Sequence, residues 1–422
     1  MVVDGSLRVP GDKSITHRAL LLAALAPGES RIRGALTSLD ARSSARILRQ
    51  LGALISPLRE GTEVTIQGVG RFRQPSASLH CGNSGTTARL VLGLLAAHAV
   101  RAVVSGDASL RRRPMKRVTD PLTAMGARFL GPDPNRLPLT VLGGPLQAIR
   151  WELPVSSAQL KSAVLLAGMA GEVPVEVREP MGKSRDHTER LLRSFGYRVD
   201  EEDGWIRFQP EGKLAGFELE VPGDPSSAAF LVGLALLAGR GTLRIEGVGV
   251  NPTRTGFLAV LRRMGATVKL EGEHERCGEP VADLIVAGGQ LEGTEVTAAE
   301  IPGLIDEIPM LAVLASRASG TTIFRQVGEL RVKESDRLAL IAQNLAAVGA
   351  RAVARADTLI VEGTGLAPRG AVRTEGDHRI AMAFAVLGRV PGADVRIDDL
   401  ACAAVSFPGF LDCLDQATGG RR

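Results

Sequence analysis

The chain has 422 residues, more than one hydrophobic core usually encloses, so two domains are expected. Apolar residues make up 45% and the net charge is only +5, which excludes a disordered chain, and no apolar run approaches the roughly 20 residues of a membrane helix. Only seven of the 51 basic residues are lysine and aromatics are 3% of the chain, a balance that suits arginine forks on small anions better than base stacking along a nucleic acid.

The opening, MVVDGSLRVPGDKS, has neither the basic nor the apolar part of a secretion signal, so an intracellular, cytoplasmic protein is expected. The first Ala/Leu-rich segment, Arg18–Ala26, follows at once. Similar segments recur at Thr87–Ala97, Leu160–Ala170, Ala228–Gly239, Ile308–Ser316 and Ile380–Leu387. None shows a polar stripe, so each reads as a helix buried on all sides. After each comes a break and a short β-branched run: SRIRG, RAVVSG, VPVEV, GTLRI, GTTIF and ADVRI. Interleaved with them are amphipathic helices that end in glycine: ARILRQLG, DPLTAMG, TERLLRSFG, LAVLRRMG and LIAQNLAAVG. Glycine there suits a left-handed cap.

Val9–Ser14 (VPGDKS) returns 212 residues later as Val221–Ser226 (VPGDPS), each opening a buried helix. The expected architecture is α/β: two similar domains, each of three repeated units whose buried helices are wrapped by sheets. The expected domains are residues 12–223, and residues 1–11 with 224–422. A ligand cleft between them is the expectation that matching hinges invite.

Polar and charged residues cluster where the buried helices begin. Ser14 is a plausible N-cap flanked by Lys13 and Arg18. Gly82–Thr87 is a small-residue turn that lets backbone approach a ligand. Ser109–Met115 (SLRRRPM) reads on its own as a solvated cationic loop, and Ser157 and Gln159 precede the third helix. Asp306 and Glu307 precede the fifth, as ordinary caps on their own. Lys333 and Arg337 would share a helix face at i, i+4, with Glu334 between them. Asp377, His378 and Arg379 open the sixth. Asp306 and Glu334 are the obvious proton carriers. Asp186 and His187 lack a third metal ligand, and Gly182-Lys183-Ser184 lacks the first glycine of a phosphate loop, since Val177 stands there. Cys81, Cys277, Cys402 and Cys413 form no CxxC and read as inert core thiols.

PGDKSITHRALLLAAL, GNSGTTARL, GDASLRRRPMKRV, SSAQLKSAVLLAG, RVKESDRL and GDHRIAMAF, in this order along the chain, resemble the 5-enolpyruvylshikimate-3-phosphate synthase family of enolpyruvyl transferases. The resemblance implies transfer of enolpyruvyl from phosphoenolpyruvate to the 5-hydroxyl of shikimate 3-phosphate, in a monomer, with no metal or organic cofactor. It also implies hinges near Gly11–Asp12 and Gly223–Asp224. Lys13, Ser14, Arg18, Ser157, Gln159, Arg185, Asp306 and Lys333 would hold shikimate 3-phosphate. Lys13, Gly85, Arg113, Gln159, Arg337, His378 and Arg379 would hold phosphoenolpyruvate. Lys13, Asp306 and Glu334 would be catalytic, Asp306 near the attacking hydroxyl and Glu334 protonating the methylene.

The chain departs from the family pattern at four places. Val405 stands where many relatives have lysine, Glu329 where some have asparagine, Leu90 where proline is common and Ser84 where many have alanine. Two other readings compete. An enolpyruvyl transferase acting on UDP-N-acetylglucosamine would carry a reactive cysteine in the Arg-rich loop, and Ser109–Met115 has none. A non-catalytic anion-binding repeat protein would not need Asp306, Glu334 and several arginines at helix starts.

Overall fold

The computed structural model describes residues 1–419. Six helices are buried: Lys13–Leu25, Gly85–Ala96, Ala158–Gly171, Pro225–Leu237, Ile308–Ala315 and His378–Leu387. Most begin a few residues before the apolar segments, because capping side chains set their starts. Asp12 accepts from Ile15 N, Ser84 from Thr87 N, Asp224 from Ser226 N and Asp377 from Arg379 N. The cap of the first helix is therefore Asp12 and not Ser14. Asp12 stands directly after Pro10-Gly11, outside the helix, where its carboxylate can turn back onto a free N–H. At the fifth helix Glu307 holds the N-cap position without a side-chain cap bond.

The chain divides into two compact units, one of Gly11–Val221 with Arg276–Glu279, the other of Met1–Pro10, Pro222–Glu275 and Pro280 onward. Each has its own apolar core around its buried helices. In the first unit the three sheets have four strands each. One of them shows the repeat plainly. Strand Leu79–His80 leads into helix Gly85–Ala96 and then into the parallel strand Arg101–Ser105; further helices and the antiparallel pair Arg128–Leu130 and Leu139–Leu142 complete it.

The repeats that open the two units have exchanged their first strands. Gly5–Arg8, which precedes the first buried helix, pairs with Thr242–Gly249 of the second unit (Leu7 opposite Ile245). Glu218–Glu220, which precedes the fourth, pairs with Gly28–Arg33 of the first (Leu219 opposite Ile32). The sixth repeat is shorter than the pattern suggests. Its parallel strands Arg369–Val372 and Asp394–Ile397 have no hairpin, because the chain continues into helix Phe410–Ala417 instead.

Glycines act at two kinds of position. Those closing the five amphipathic helices (Gly52, Gly126, Gly196, Gly265 and Gly349) have φ between +82° and +115°, a region costly for any residue with a Cβ. Gly93 lets two buried helices touch, since a Cβ there would lie 2.2 Å from the Ala163 carbonyl oxygen. That contact brings the starts of helices Gly85–Ala96 and Ala158–Gly171 together. Of the cysteines only Cys81 is buried; Cys277, Cys402 and Cys413 are half-buried, so the core-thiol reading fails for three. No helix of the described residues is long and apolar enough to cross a membrane.

Candidate functional site

In the first unit the candidate residues gather at the starts of its three buried helices. Lys13 pairs with Asp40 (Nζ to Oδ2, 2.9 Å). Arg18 is buried, and each of its hydrogen bonds ends on an uncharged oxygen: Thr188 Oγ1 at 2.7 Å, Ser162 Oγ at 2.6 Å and the Ser14 carbonyl at 2.9 Å. Burial lowers its guanidinium to about 10, still charged at neutral pH. Ser14, released from capping, has its hydroxyl 3.4 Å from Arg185 Nη1. A buried cation with neutral partners in a low-dielectric setting is strongly attractive to an anion.

The touching helices supply the next cluster. Gln159 donates to Thr86 Oγ1 (2.9 Å) and accepts from Arg89 Nη1 (2.5 Å), which fixes its amide. Arg113 donates to Asn83 Oδ1, and to Ser109 Oγ at 3.4 Å. A Cβ on Gly85 would lie 3.0 Å from Arg89 Nη1 and 3.1 Å from Arg113 Nη1, so the missing side chain makes room for two guanidiniums. The cationic stretch is not a loop: Ala108–Arg112 is a short helix capped by Asp107, and Arg113 at its end is buried. Ser156 is engaged with the Met181 backbone, whereas Ser157 at the N-cap makes no capping bond. Ser184 is buried with a hydroxyl that has no hydrogen-bond partner among the described residues.

In the second unit the candidates converge on Arg337. This buried guanidinium bonds Asp377 Oδ2 through Nε (2.8 Å) and Asp306 Oδ1 through Nη1 (3.3 Å), and its Nη2 lies 2.5 Å from Glu334 Oε2. The last is a charge contact off the line of a hydrogen bond. Burial alone would lower the Arg337 guanidinium, but Asp377, Glu334 and Asp306 together raise it above its ordinary value. Burial works against the Asp377 carboxylate too, and Arg337 overrides it, so Asp377 titrates below its ordinary value. Arg379 donates to the Asp306 carbonyl (3.0 Å) and lies 3.8 Å from its carboxylate. His378 is buried beside it at the helix start.

Lys333 is not on the helix of Arg337. It follows the short helix Gly328–Val332, and helix Arg337–Ala347 starts only after the cap Asp336. Three residues between Lys333 and the helix break the shared face, and burial lowers the Lys333 ammonium while Asp306 and Glu329 oppose this. Among the departures, Ser84 has a clear role as the cap of its helix, and Leu90 is fully buried in the core. Glu329 is one of the acids around Lys333, and Val405 ends the short helix Ala401–Val405, half-exposed. Among the described residues no group of three or more His, Cys, Asp and Glu is placed to hold a metal ion. His187 pairs instead with Glu279 (2.7 Å) and Asp186 with Arg190 (2.9 Å).

Several residues of these clusters escape a reading of the sequence. Arg89 could have been found from its i, i+4 spacing to Gly85 on one helix face. Ser162 and Thr188, the partners of Arg18, lie 144 and 170 residues from it and leave no local signal.

Comparison with known proteins agrees along the chain. Residues 2–414 match the family model of EPSP synthase (3-phosphoshikimate 1-carboxyvinyltransferase). A 3-phosphoshikimate 1-carboxyvinyltransferase of Caulobacter vibrioides is 47% identical over 97% of this chain and 94% of its own length. One of Anaeromyxobacter sp. (strain K) is 48% identical over 98% and 94%. The solved EPSP synthase of Acinetobacter baumannii superposes with a TM-score of 0.87 at 39% identity, covering 99% of this chain and 96% of that one. The enolpyruvyl transferase NikO of Streptomyces tendae, at 17% identity and a TM-score of 0.78, covering 99% and 95%, shares the fold. Identity approaching one half over nearly the full length, on the same α/β fold, makes this chain a member of the EPSP synthase family of 3-phosphoshikimate 1-carboxyvinyltransferases.

Proposed function

We propose that the two clusters divide the labour of the family's enolpyruvyl transfer, with the first unit binding the phosphates and the second moving the protons. Lys13, Ser14, Arg18, Ser157, Gln159 and Arg185 hold shikimate 3-phosphate, with Lys333 and Asp306 on its ring. Lys13, Gly85, Arg113 and Gln159, together with Arg337, His378 and Arg379, hold phosphoenolpyruvate. Arg337 does so through the ligand's carboxylate while keeping its contacts with Asp306 and Glu334.

Glu334 gives a proton to the methylene carbon, which leaves cationic character on the adjacent carbon. The 5-hydroxyl oxygen bonds to that carbon as Asp306 takes the hydroxyl proton, giving a tetrahedral intermediate. Loss of a methyl proton to Glu334 and cleavage of the carbon–oxygen bond to phosphate then yield the enolpyruvyl ether and inorganic phosphate. Lys13 and the arginines stabilise charge on the leaving phosphate.

The observation that carries this reading is the shared arginine. Asp306 and Glu334 both contact Arg337, so the two carboxyl groups are fixed relative to each other. Addition and elimination each need one proton given and one taken, and held groups perform such transfers efficiently. The same reading has the chain acting as a monomer in the cytoplasm, without a cofactor.

The test is phosphate release from purified protein given phosphoenolpyruvate with shikimate 3-phosphate or, in parallel, UDP-N-acetylglucosamine. Release with shikimate 3-phosphate alone, abolished in Lys13→Ala, is the expected result. Release with the nucleotide sugar, or with neither acceptor, would refute it. Light scattering on the same sample checks the oligomeric state.

A further inference from the structure

Behind Arg18 lies a buried ionic group that the reaction itself does not use. Lys161, on helix Ala158–Gly171, has no exposed side-chain surface. Its ammonium lies 2.8 Å from Glu179 Oε2, 2.8 Å from Glu189 Oε1 and 3.3 Å from the Ser184 carbonyl. Glu179 also accepts from Ser184 N at 3.0 Å. The contact with Glu189 is one of charge, off the line of a hydrogen bond, and neither oxygen of that buried carboxylate has a hydrogen-bond partner among the described residues. An uncompensated buried carboxylate is strongly disfavoured, so Lys161 is what makes Glu189 tolerable there.

The sequence neighbours connect this group to the binding cluster. Ser162 follows Lys161 and Thr188 precedes Glu189, and these two hydroxyls are the oxygens that Arg18 grips. They also bond each other at 2.6 Å. The dipeptides Lys161-Ser162 and Thr188-Glu189 thus hold an ion pair with one member and Arg18 with the other. Glu189 makes no ion pair with Arg18. Burial dominates the lowering of Arg18, and of its charged neighbours Glu189 does most to keep the guanidinium charged.

We propose that Lys161 is a positioning residue for shikimate 3-phosphate: by engaging Glu189 and Glu179 it keeps Arg18 available to the ligand and holds the Glu179–Arg185 segment in place. Without it, two buried carboxylates would be left bare, and the one that already acts on Arg18, Glu189, would draw the guanidinium back and weaken its pull on an anion. This rests on the reading of Arg18 as a ligand for shikimate 3-phosphate.

Steady-state kinetics on Lys161→Met, Lys161→Arg, Lys161→Met/Glu189→Gln and Arg18→Met test it, each with both substrates varied. Lys161→Met raises KM for shikimate 3-phosphate about tenfold or more, with KM for phosphoenolpyruvate within about twofold. Lys161→Arg and the double variant recover most of the loss, which a merely structural role for the lysine does not predict for the double. A folded Lys161→Met with an unchanged shikimate 3-phosphate KM, an equal rise for both substrates, or no recovery in the double variant would overturn the proposal. If Lys161→Met does not fold, the triple Lys161→Met/Glu179→Gln/Glu189→Gln, which buries none of these charges, substitutes for it. A near-native KM there supports the charge argument, and a raised one defeats it. If Arg18→Met itself leaves that KM unchanged, the functional reading fails and takes the proposal with it; if Arg18→Met raises KM and Lys161→Met does not, only the proposal fails.

Discussion

Arg18 and Arg337 are both buried arginines near helix starts, one in each unit, and they are satisfied in opposite ways. Arg18 rests on two hydroxyls and a carbonyl, all neutral. Arg337 is ringed by Asp306, Glu334 and Asp377. The matching VPGD helices repeat the contrast. Where the first carries Lys13 and Arg18, the second carries Pro225 and Phe230. Its polar groups close on one another, with Arg254 bonded to Asp224 and Ser226 and Ser226 bonded to Glu307. A cation already neutralised by protein carboxylates has little left for a substrate phosphate. A buried cation on neutral oxygens has its full charge to offer. The scaffold is duplicated, and in the proposed function this placement of charge puts the phosphate contacts of shikimate 3-phosphate on one copy and the proton carriers on the other.

The sharpest way to break this contrast is to remove each arginine and measure stability. Arg337→Met leaves three carboxylates without their shared cation and costs about 3–5 kcal/mol in chemical denaturation, the size seen when one member of a buried ionic set is deleted. Arg18→Met leaves only two hydroxyls and a carbonyl to re-pair and costs less, about 1–3 kcal/mol. Equal losses would mean that the two arginines are satisfied alike.

Next in size is a difference in acid sensitivity. His17 is buried in the first unit with Nδ1 2.8 Å from Ser44 Oγ, and burial lowers it to about 4 from an ordinary 6.5. Because the folded state holds this imidazole neutral, its contribution is fully present above pH 6.5 and is lost as pH falls through about 4; the whole is on the order of 3 kcal/mol. Asp377 in the second unit is also lowered, from a carboxylate's 3.8, so its contribution is intact above that value and is lost only in stronger acid. Stability measured against pH should therefore decline first between 6.5 and 4, and His17→Gln should make that part of the profile shallower, leaving the share of His98, which burial also lowers. An unchanged decline in the variant would place its origin elsewhere.

The smallest effect expected is at Gly85. Its φ is not in the left-handed region, and the atoms a Cβ would crowd are the movable ends of Arg89 and Arg113. Gly85→Ala should leave thermal stability within about 0.5 kcal/mol of the parent and raise KM for phosphoenolpyruvate a few-fold by displacing those guanidiniums. A loss of stability with unaltered KM would contradict the crowding argument.

How much of this was legible in the sequence depended on the range of the physics involved. The buried helices, the strands after them and the glycine caps follow from local periodicity and backbone preference, and each of the six apolar segments falls on a helix, four of them running one or two residues past its end. Capping is local too, yet the cap is Asp12 and not Ser14, because Asp12 takes the N–H of Ile15 and starts the helix at Lys13, which leaves Ser14 inside its first turn. The strand exchange of Gly5–Arg8 and Glu218–Glu220 has no local signature, since it depends on which sheet edge each strand meets. The same is true of charge pairing. Lys161 sits in a segment that reads as uniformly apolar, and only the fold brings Glu179 and Glu189 to its ammonium. The candidate residues stood out because they are polar at the mouths of apolar helices; their partners, far along the chain, did not.

The division of labour between the two clusters is tested most directly by titrating shikimate 3-phosphate into Glu334→Gln and Arg18→Met calorimetrically, alongside phosphate-release assays on the same samples. The account predicts that Glu334→Gln binds shikimate 3-phosphate within about threefold of the parent while releasing phosphate at least about a hundredfold more slowly, and that Arg18→Met loses about tenfold or more in binding. Weak binding by Glu334→Gln together with normal binding by Arg18→Met would reverse the assignment of the two units and contradict it.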